Sequence, residues 1–345
     1  MSPQPSFRVL VSAPYLLPEV ERFRELLRQA GVDIVEAQVV ERLGEEELLL
    51  HAGDVDGVVC GDDRFSSRVL EAFAPRLKVI SKWGTGIDSI DREAASRLGI
   101  AVLNTPGAFT EAVADSVMAY ILAFARRLPW MDRSLKSGGW EKLPGRSLGE
   151  CSLGVVGVGR IGKAVLQRAR AFGMTLYGTD IIEIAPSFVG RVGVTMVGLE
   201  EVARRSDFIS LSCDLNPTSF HLIDRHVIDW MKPAAVLINT ARGAIVDEAA
   251  LVEALRNHRI AGAALDVYED EPLPLDSPLR EMDHVLLAAH NANSSPIAWE
   301  RVHRNTLRNL LRGLGLEVPG GLRDPEPGPG RGPRKVARAR RRRGQ

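Results

Sequence analysis

Residues 151–180, CSLGVVGVGRIGKAVLQRARAFGMTLYGTD, leave this chain few ways to fold. A short apolar run (Leu153, Val155, Val156) leads into Gly157-Val158-Gly159-Arg160-Ile161-Gly162. Ile161, Val165, Ala169 and Phe172 then recur on one helical face, and a second apolar run at 174–177 ends at Asp180. Strand, glycine turn, helix, strand and acid is the order of a dinucleotide-binding βαβ unit. Gly157 permits the tight turn, Gly159 lets the backbone approach a pyrophosphate, and Gly162 lets helix and strand pack closely. The pyrophosphate would then face unpaired N–H groups at a helix N-terminus. Asp180 lies 18 residues past Gly162, where its carboxylate can accept hydrogen bonds from a ribose diol.

The rest of the chain repeats the alternation. Strands are expected at 7–11, 32–37, 57–60, 77–81 and 102–104, separated by helices at 18–30, 45–52 and 66–73. From Thr110 the run EAVADSVMAYILAFARR is apolar all round, as a helix buried between larger bodies would be. Residues 129–147 read as a loop-rich arm carrying Trp130 and Trp140. Further strands are expected at 207–212, 235–239, 261–265 and 285–288, with helices at 247–257 and 296–314. Alternation of this kind implies parallel sheets covered on both faces. Ligands bind beyond the carboxyl ends of such strands, and Arg242, Asp266 and His290 all fall there.

Other classes are disfavoured. Cys60, Cys151 and Cys213 show no metal or redox spacing, which suits a reducing cytoplasm, and no metal is expected. No signal peptide or membrane-length apolar run is seen. Residues 331–345 hold eight basic residues and no acid, so a chain of zero net charge leaves residues 1–330 at −8. An acidic body argues against a nucleic-acid groove, and the Gly-, Pro- and Arg-rich end at 319–345 reads as a disordered basic tail.

Three residues carry the chemistry. Arg242, in Thr240-Ala241-Arg242-Gly243, can hold a carboxylate and polarise a carbonyl through parallel hydrogen bonds. His290 can exchange protons near neutral pH. Taken alone, such a histidine is more often a packed or capping residue. Glu271 is one of four acids in residues 266–271, a stretch that taken alone reads as a solvated loop. Beside a histidine, however, it would favour imidazolium and orient the ring.

These segments together resemble the D-isomer-specific 2-hydroxyacid dehydrogenases, in particular the D-3-phosphoglycerate dehydrogenases. The resemblance runs over residues 7–316 and rests on KWGTGIDSID, NTPGAFTEAVAD, GVVGVGRIGKA, INTARGAIVDEAAL, AGAALDVYEDEPLP and the Ala289-His290 pair. It implies an α/β fold: a Rossmann-type doubly wound NAD-binding domain (105–291) inserted into a discontinuous flavodoxin-like substrate domain (1–104 and 292–318). It implies hydride transfer between NAD and a D-2-hydroxy or 2-oxo acid, with a phosphoglycerate-like acid among the expected substrates. A phosphonate-bearing or other specialised 2-oxo acid, and an NAD(H)-sensing corepressor-like role on the same scaffold, are the alternatives. By resemblance, Arg242 takes the substrate carboxylate and oxygen, Glu271 partners the histidine, and His290 is the acid/base. Cofactor contacts are implied at Thr85, Gly157, Gly159, Arg160, Ile161, Gly162, Asp180, Cys213, Thr240, Ala241, Arg242, Asp266, His290 and Asn293. The amides of Gly84, Thr85 and Gly86 would cradle the substrate carboxylate, with Lys82 as an added positive charge. A cytoplasmic homodimer is expected, with the helix from Thr110 and the 130–140 arm at its interface. The sequence departs from the family pattern at the histidine, where Ala289 precedes it and Asn291-Ala292-Asn293 follow.

Overall fold

The computed structural model describes residues 7–322. Among the described residues, twelve strands form two all-parallel sheets. The first holds β1 (Phe7–Val11), β2 (Val32–Glu36), β3 (Gly57–Cys60), β4 (Val79–Lys82) and β5 (Ala101–Leu103), in the order β2-β1-β3-β4-β5. The second holds β6 (Ser152–Val156), β7 (Thr175–Thr179), β8 (Thr195–Met196), β9 (Phe208–Leu211), β10 (Val236–Asn239), β11 (Gly262–Leu265) and β12 (Val285–Leu287). Its order is β12-β11-β10-β9-β6-β7-β8, the doubly wound arrangement, with the reversal between β6 and β9. The first sheet has the flavodoxin-like order, reversing between β1 and β3.

Helices cover both faces of each sheet because the strands are apolar on both sides. All residues of β3, β6, β9, β10 and β11 are buried. The helix Pro296–Gly313 returns to the first sheet, where the Ser81 hydroxyl donates to the Thr306 carbonyl at 2.7 Å. Its Leu307, Leu310 and Leu311 are fully buried. Each contributes about 1.5–3 kcal/mol, several times what helix propensity supplies per residue, so packing holds this helix in place. The helix Thr110–Ala125 joins the two bodies. Val113 packs in the core of the first sheet, and Ala114, Val117 and Ile121 pack in that of the second. Its Ser116 hydroxyl also donates to the Ala292 carbonyl, 3.1 Å away on the returning chain.

Two expectations need correction. The arm expected as loop at 129–147 begins as a helix, Leu128–Lys136. Pro129 is tolerated there because a first-turn residue has no N–H to lose to the helix. Trp130 is committed to its own chain: its ring lies 5.0 Å from that of Phe124, and its Nε1–H donates to the Asp283 carbonyl at 2.9 Å. The disordered tail expected from 319 starts too early, because Gly320–Leu322 form a 3-10 turn that buries Leu322 against the first sheet. The basic run at 331–345 lies outside the described residues. Among the described residues, no helix is long and apolar enough to cross a membrane. No cluster of three His, Cys, Asp or Glu that could hold a metal is found there either.

Candidate active site

The glycine turn connects β6 to the helix Arg160–Ala171, whose N-cap is Gly159. Gly157 has φ +89°, and a Cβ there would fall 2.4 Å from the Cys213 nitrogen, so no side chain fits. Gly159 is the opposite case: nothing lies within 4 Å of its missing Cβ, and its backbone is open to an incoming group. The Asp180 carboxylate folds back on this turn, accepting from the Val158 amide at 2.6 Å and the Ile182 amide at 3.1 Å. Beyond β10, the buried Thr240 hydroxyl has no hydrogen-bond partner among the described residues. An open helix N-terminus, a carboxylate at its lip and an unsatisfied hydroxyl nearby are what a dinucleotide would complete. These residues therefore fit NAD.

The second group forms at the ends of β11 and β12. Asp266 is buried, and its carboxylate accepts from the Asn291 amide at 2.8 Å and the Ala292 amide at 2.9 Å. The His290 amide donates to the Asp266 carbonyl at 2.8 Å. Those three bonds hold His290 at φ +49°, a left-handed conformation that costs a non-glycine residue on the order of 1–3 kcal/mol. The departure from the family pattern thus falls on a segment tied down by one carboxylate. Glu271 Oε2 sits 3.0 Å from His290 Nδ1, and its Oε1 accepts from the Tyr268 amide at 3.0 Å. With Nδ1 engaged, Nε2 is the nitrogen left to exchange a proton. Burial pulls the imidazole pKa down, but the hydrogen bond and charge of Glu271 outweigh it, and the net direction is up. Of the other acids in that run, Glu269 is spent on His221, 2.8 Å away.

Arg242 completes the arrangement. Its Nη1 donates to the Ala241 carbonyl at 2.8 Å, and its Nε to both oxygens of Asp88 at 3.1 and 3.2 Å. A Cβ on Gly86 would lie 1.6 Å from Arg242 Nη2, so the guanidinium reaches this loop only because residue 86 is glycine. Burial works against the guanidinium charge, and Asp88 and then Asp62 more than restore it. Lys82 is only 3% exposed, and its Nζ donates to Asp62 Oδ1 at 2.9 Å. It is therefore a neutralised charge and not the spare cation the sequence suggested. Burial opposes ionisation of Asp62, yet Lys82, Arg242 and His290 together hold its carboxyl below the usual range.

Arg242 and His290 line one cavity, together with Lys82, Gly84, Thr85 and Gly86 from the first sheet's loops. Ile161, Thr240, Asp266 and Asn293 line it from the other side. Glu271 stands behind His290 and faces a neighbouring opening. Gly157, Gly159, Arg160, Gly162, Asp180, Ala241 and Cys213 do not line this cavity. Gly157 and Cys213 meet at the glycine turn, and burial pushes the Cys213 thiol up to about 11. Sequence reasoning missed Asp88, the partner of Arg242, though it stands two residues beyond the Gly84–Gly86 cradle. It also missed Tyr15, Glu41 and Asp62, which line the cavity from loops with no motif.

Comparison with known proteins places this geometry. Residues 118–292 match the family model described as the NAD-binding domain of D-isomer specific 2-hydroxyacid dehydrogenases. A glyoxylate reductase of Korarchaeum cryptofilum is 39% identical over 266 residues, 75% of this chain and 80% of that protein. A D-3-phosphoglycerate dehydrogenase of Methanocaldococcus jannaschii is 40% identical over 81% of this chain, which spans only 54% of that relative's length. The crystal structure of a D-lactate dehydrogenase from Aquifex aeolicus, complexed with NAD and lactic acid, superimposes with a TM-score of 0.79 at 28% identity. It covers 89% of this chain and 95% of that one.

Proposed function

This chain belongs to the D-isomer-specific 2-hydroxyacid dehydrogenases, NAD-dependent oxidoreductases, and on that premise we propose that it interconverts a 2-oxo acid and its D-2-hydroxy acid between the two sheets. The observation that carries this reading is one cavity lined by both Arg242 and the Glu271-backed His290. The substrate carboxylate sits on the amides of residues 84–86 and on Arg242, which also draws electron density from the 2-oxo oxygen. NADH held at the Gly157–Gly162 turn and Asp180 would supply the hydride for the substrate carbon. His290 gives a proton from Nε2 to the oxygen, and Glu271 steadies the imidazolium beforehand. In the oxidising direction the neutral ring takes that proton back. Residues 1–104 with 292–318 serve as the substrate-binding unit, and 105–291 as the cofactor-binding unit. The test is turnover of a panel of 2-oxo acids with NADH.

NADH is preferred over NADPH. The Asp180 carboxylate would accept from the ribose hydroxyls and repel a 2′-phosphate, and Ile181 and Ile182 follow it, both exposed, where a phosphate would need a cation. Like charges brought together in a binding site cost several kcal/mol, so kcat/KM should favour NADH by about 10²-fold or more. Comparable values for the two cofactors would refute this assignment.

The chain works as a homodimer in the cytoplasm. Leu128, Leu135 and Trp140 stay exposed on the helix Leu128–Lys136 and the segment after it, and Trp140 is 89% exposed. Aromatic and aliphatic side chains grouped in this way mark protein contacts. Sedimentation at micromolar concentration should show a dimer that Leu135→Glu dissociates. A wild-type monomer would contradict it.

A further inference from the structure

Of the three carboxylates that line the catalytic cavity, Asp62 and Asp266 have hydrogen-bond partners and Glu41 has none among the described residues. Arg242 is matched by Asp88, Lys82 by Asp62 and His290 by Glu271. Glu41 lines the same cavity, half-buried, with no hydrogen bond or ion pair to its side chain among the described residues. Burial pushes its carboxyl up, Glu271 and Asp62 push it further, and His290 and Arg42 pull the other way. Glu41 also lines the neighbouring opening, beside Arg42 and Arg64, and among the described residues it forms an ion pair with neither. The loop that presents Glu41 is anchored: buried Asp63 accepts from the Leu43 amide at 2.7 Å and from the Ser12 hydroxyl. Glu41 is thus an unpaired carboxyl group on an anchored loop, and a partly desolvated carboxylate is stabilised by a cation.

The wall beside it is aromatic. Tyr15 and Trp83 line the cavity with ring centroids 5.3 Å apart. Trp83 is fixed by its Nε1–H, which donates to His303 Nδ1 at 2.9 Å. Aromatic faces beside a carboxylate are the chemistry that recognises an ammonium or guanidinium group. A phosphate on this aromatic wall would meet Glu41 and Asp62, while Lys82, Arg242 and His290, the cations that line the cavity itself, already face carboxylates.

We propose that Glu41, Tyr15 and Trp83 form the subsite for the substrate's side chain, and that the substrate is a 2-oxo acid whose far end is cationic. This rests on the oxidoreductase reading above. The experiment compares kcat/KM with NADH for glyoxylate and three chain-matched 2-oxo acids. These end in a quaternary ammonium, which cannot cyclise onto its own ketone, in a neutral tert-butyl isostere and in a phosphate.

The ammonium acid should lead the neutral isostere by about tenfold or more, since a desolvated cation–π contact adds on the order of 1–2 kcal/mol. The phosphate acid should come last. Glu41→Gln should bring the ammonium-to-neutral ratio close to one, and Glu41→Lys should raise the phosphate acid relative to the ammonium acid. A wild-type preference for the neutral or phosphate acid overturns the subsite alone, as does a ratio that Glu41→Gln leaves in place. Turnover of none of the acids, glyoxylate included, overturns the oxidoreductase reading and the subsite with it.

Discussion

His290→Ala lowers kcat for reduction of a 2-oxo acid by about 10²–10⁴, the range that a positioned general acid contributes. The loss is expected because His290 is the one titratable group at the cavity whose other ring nitrogen is held by a carboxylate, at 3.0 Å. Glu271→Gln costs less and shows itself in the pH profile. Reduction needs the protonated ring, so activity is present below the histidine's pKa and fades as pH rises through it. Glu271 raises that pKa. Its replacement by glutamine therefore moves the falling limb to lower pH. Oxidation needs the neutral ring, and its rising limb moves the same way. An unchanged profile in Glu271→Gln would show that the pair does not set the proton step. Glu269 is then a poor substitute, since His221 already holds it.

Arg242→Gln costs about 10²–10³ in kcat, the size of effect seen when one donor to a developing oxyanion is removed. KM for the acid rises as well, because the same guanidinium holds the carboxylate. The geometry adds an independent check. A methyl group on residue 86 would fall 1.6 Å from Arg242 Nη2. Gly86→Ala must therefore displace the guanidinium, and it should reproduce much of the Arg242→Gln loss without removing the arginine. Full activity in Gly86→Ala would mean that Arg242 works from another position.

Much of this was legible in the chain, for physical reasons that can be named. Residues 151–180 read correctly because each glycine answers a local need: Gly157 for a positive φ, Gly159 for open space. The strands at 7–11 and 57–60 stood out as short apolar runs between turn residues. Arg242, Asp266 and His290 could be singled out because strand ends are where parallel sheets bind ligands, whereas Glu271 reads as a loop acid and took its role from the family resemblance. What stayed hidden depends on distance across the fold. Arg242 and Asp88 are 154 positions apart, and no periodicity links them. Asp62 reads as a loop acid until the structure places it on buried Lys82. Glu41 carries no motif at all. Leu322 sits among glycines and prolines that read as unstructured, and only the core of the first sheet explains why it is buried. The helix Leu128–Lys136 was obscured by Pro129, which disfavours a helix interior but suits a first turn.

On the proposed mechanism, Arg242 and the Glu271-backed His290 reduce a 2-oxo acid with NADH. The most direct test follows NADH consumption and product configuration together, in the wild type and in His290→Ala, across a panel of 2-oxo acids. The wild type should form one D-2-hydroxy acid per NADH oxidised, with the rate down by about 10²–10⁴ in the variant while NADH binding is retained. NADH binding without turnover of any acid, or turnover that His290→Ala leaves untouched, would contradict it.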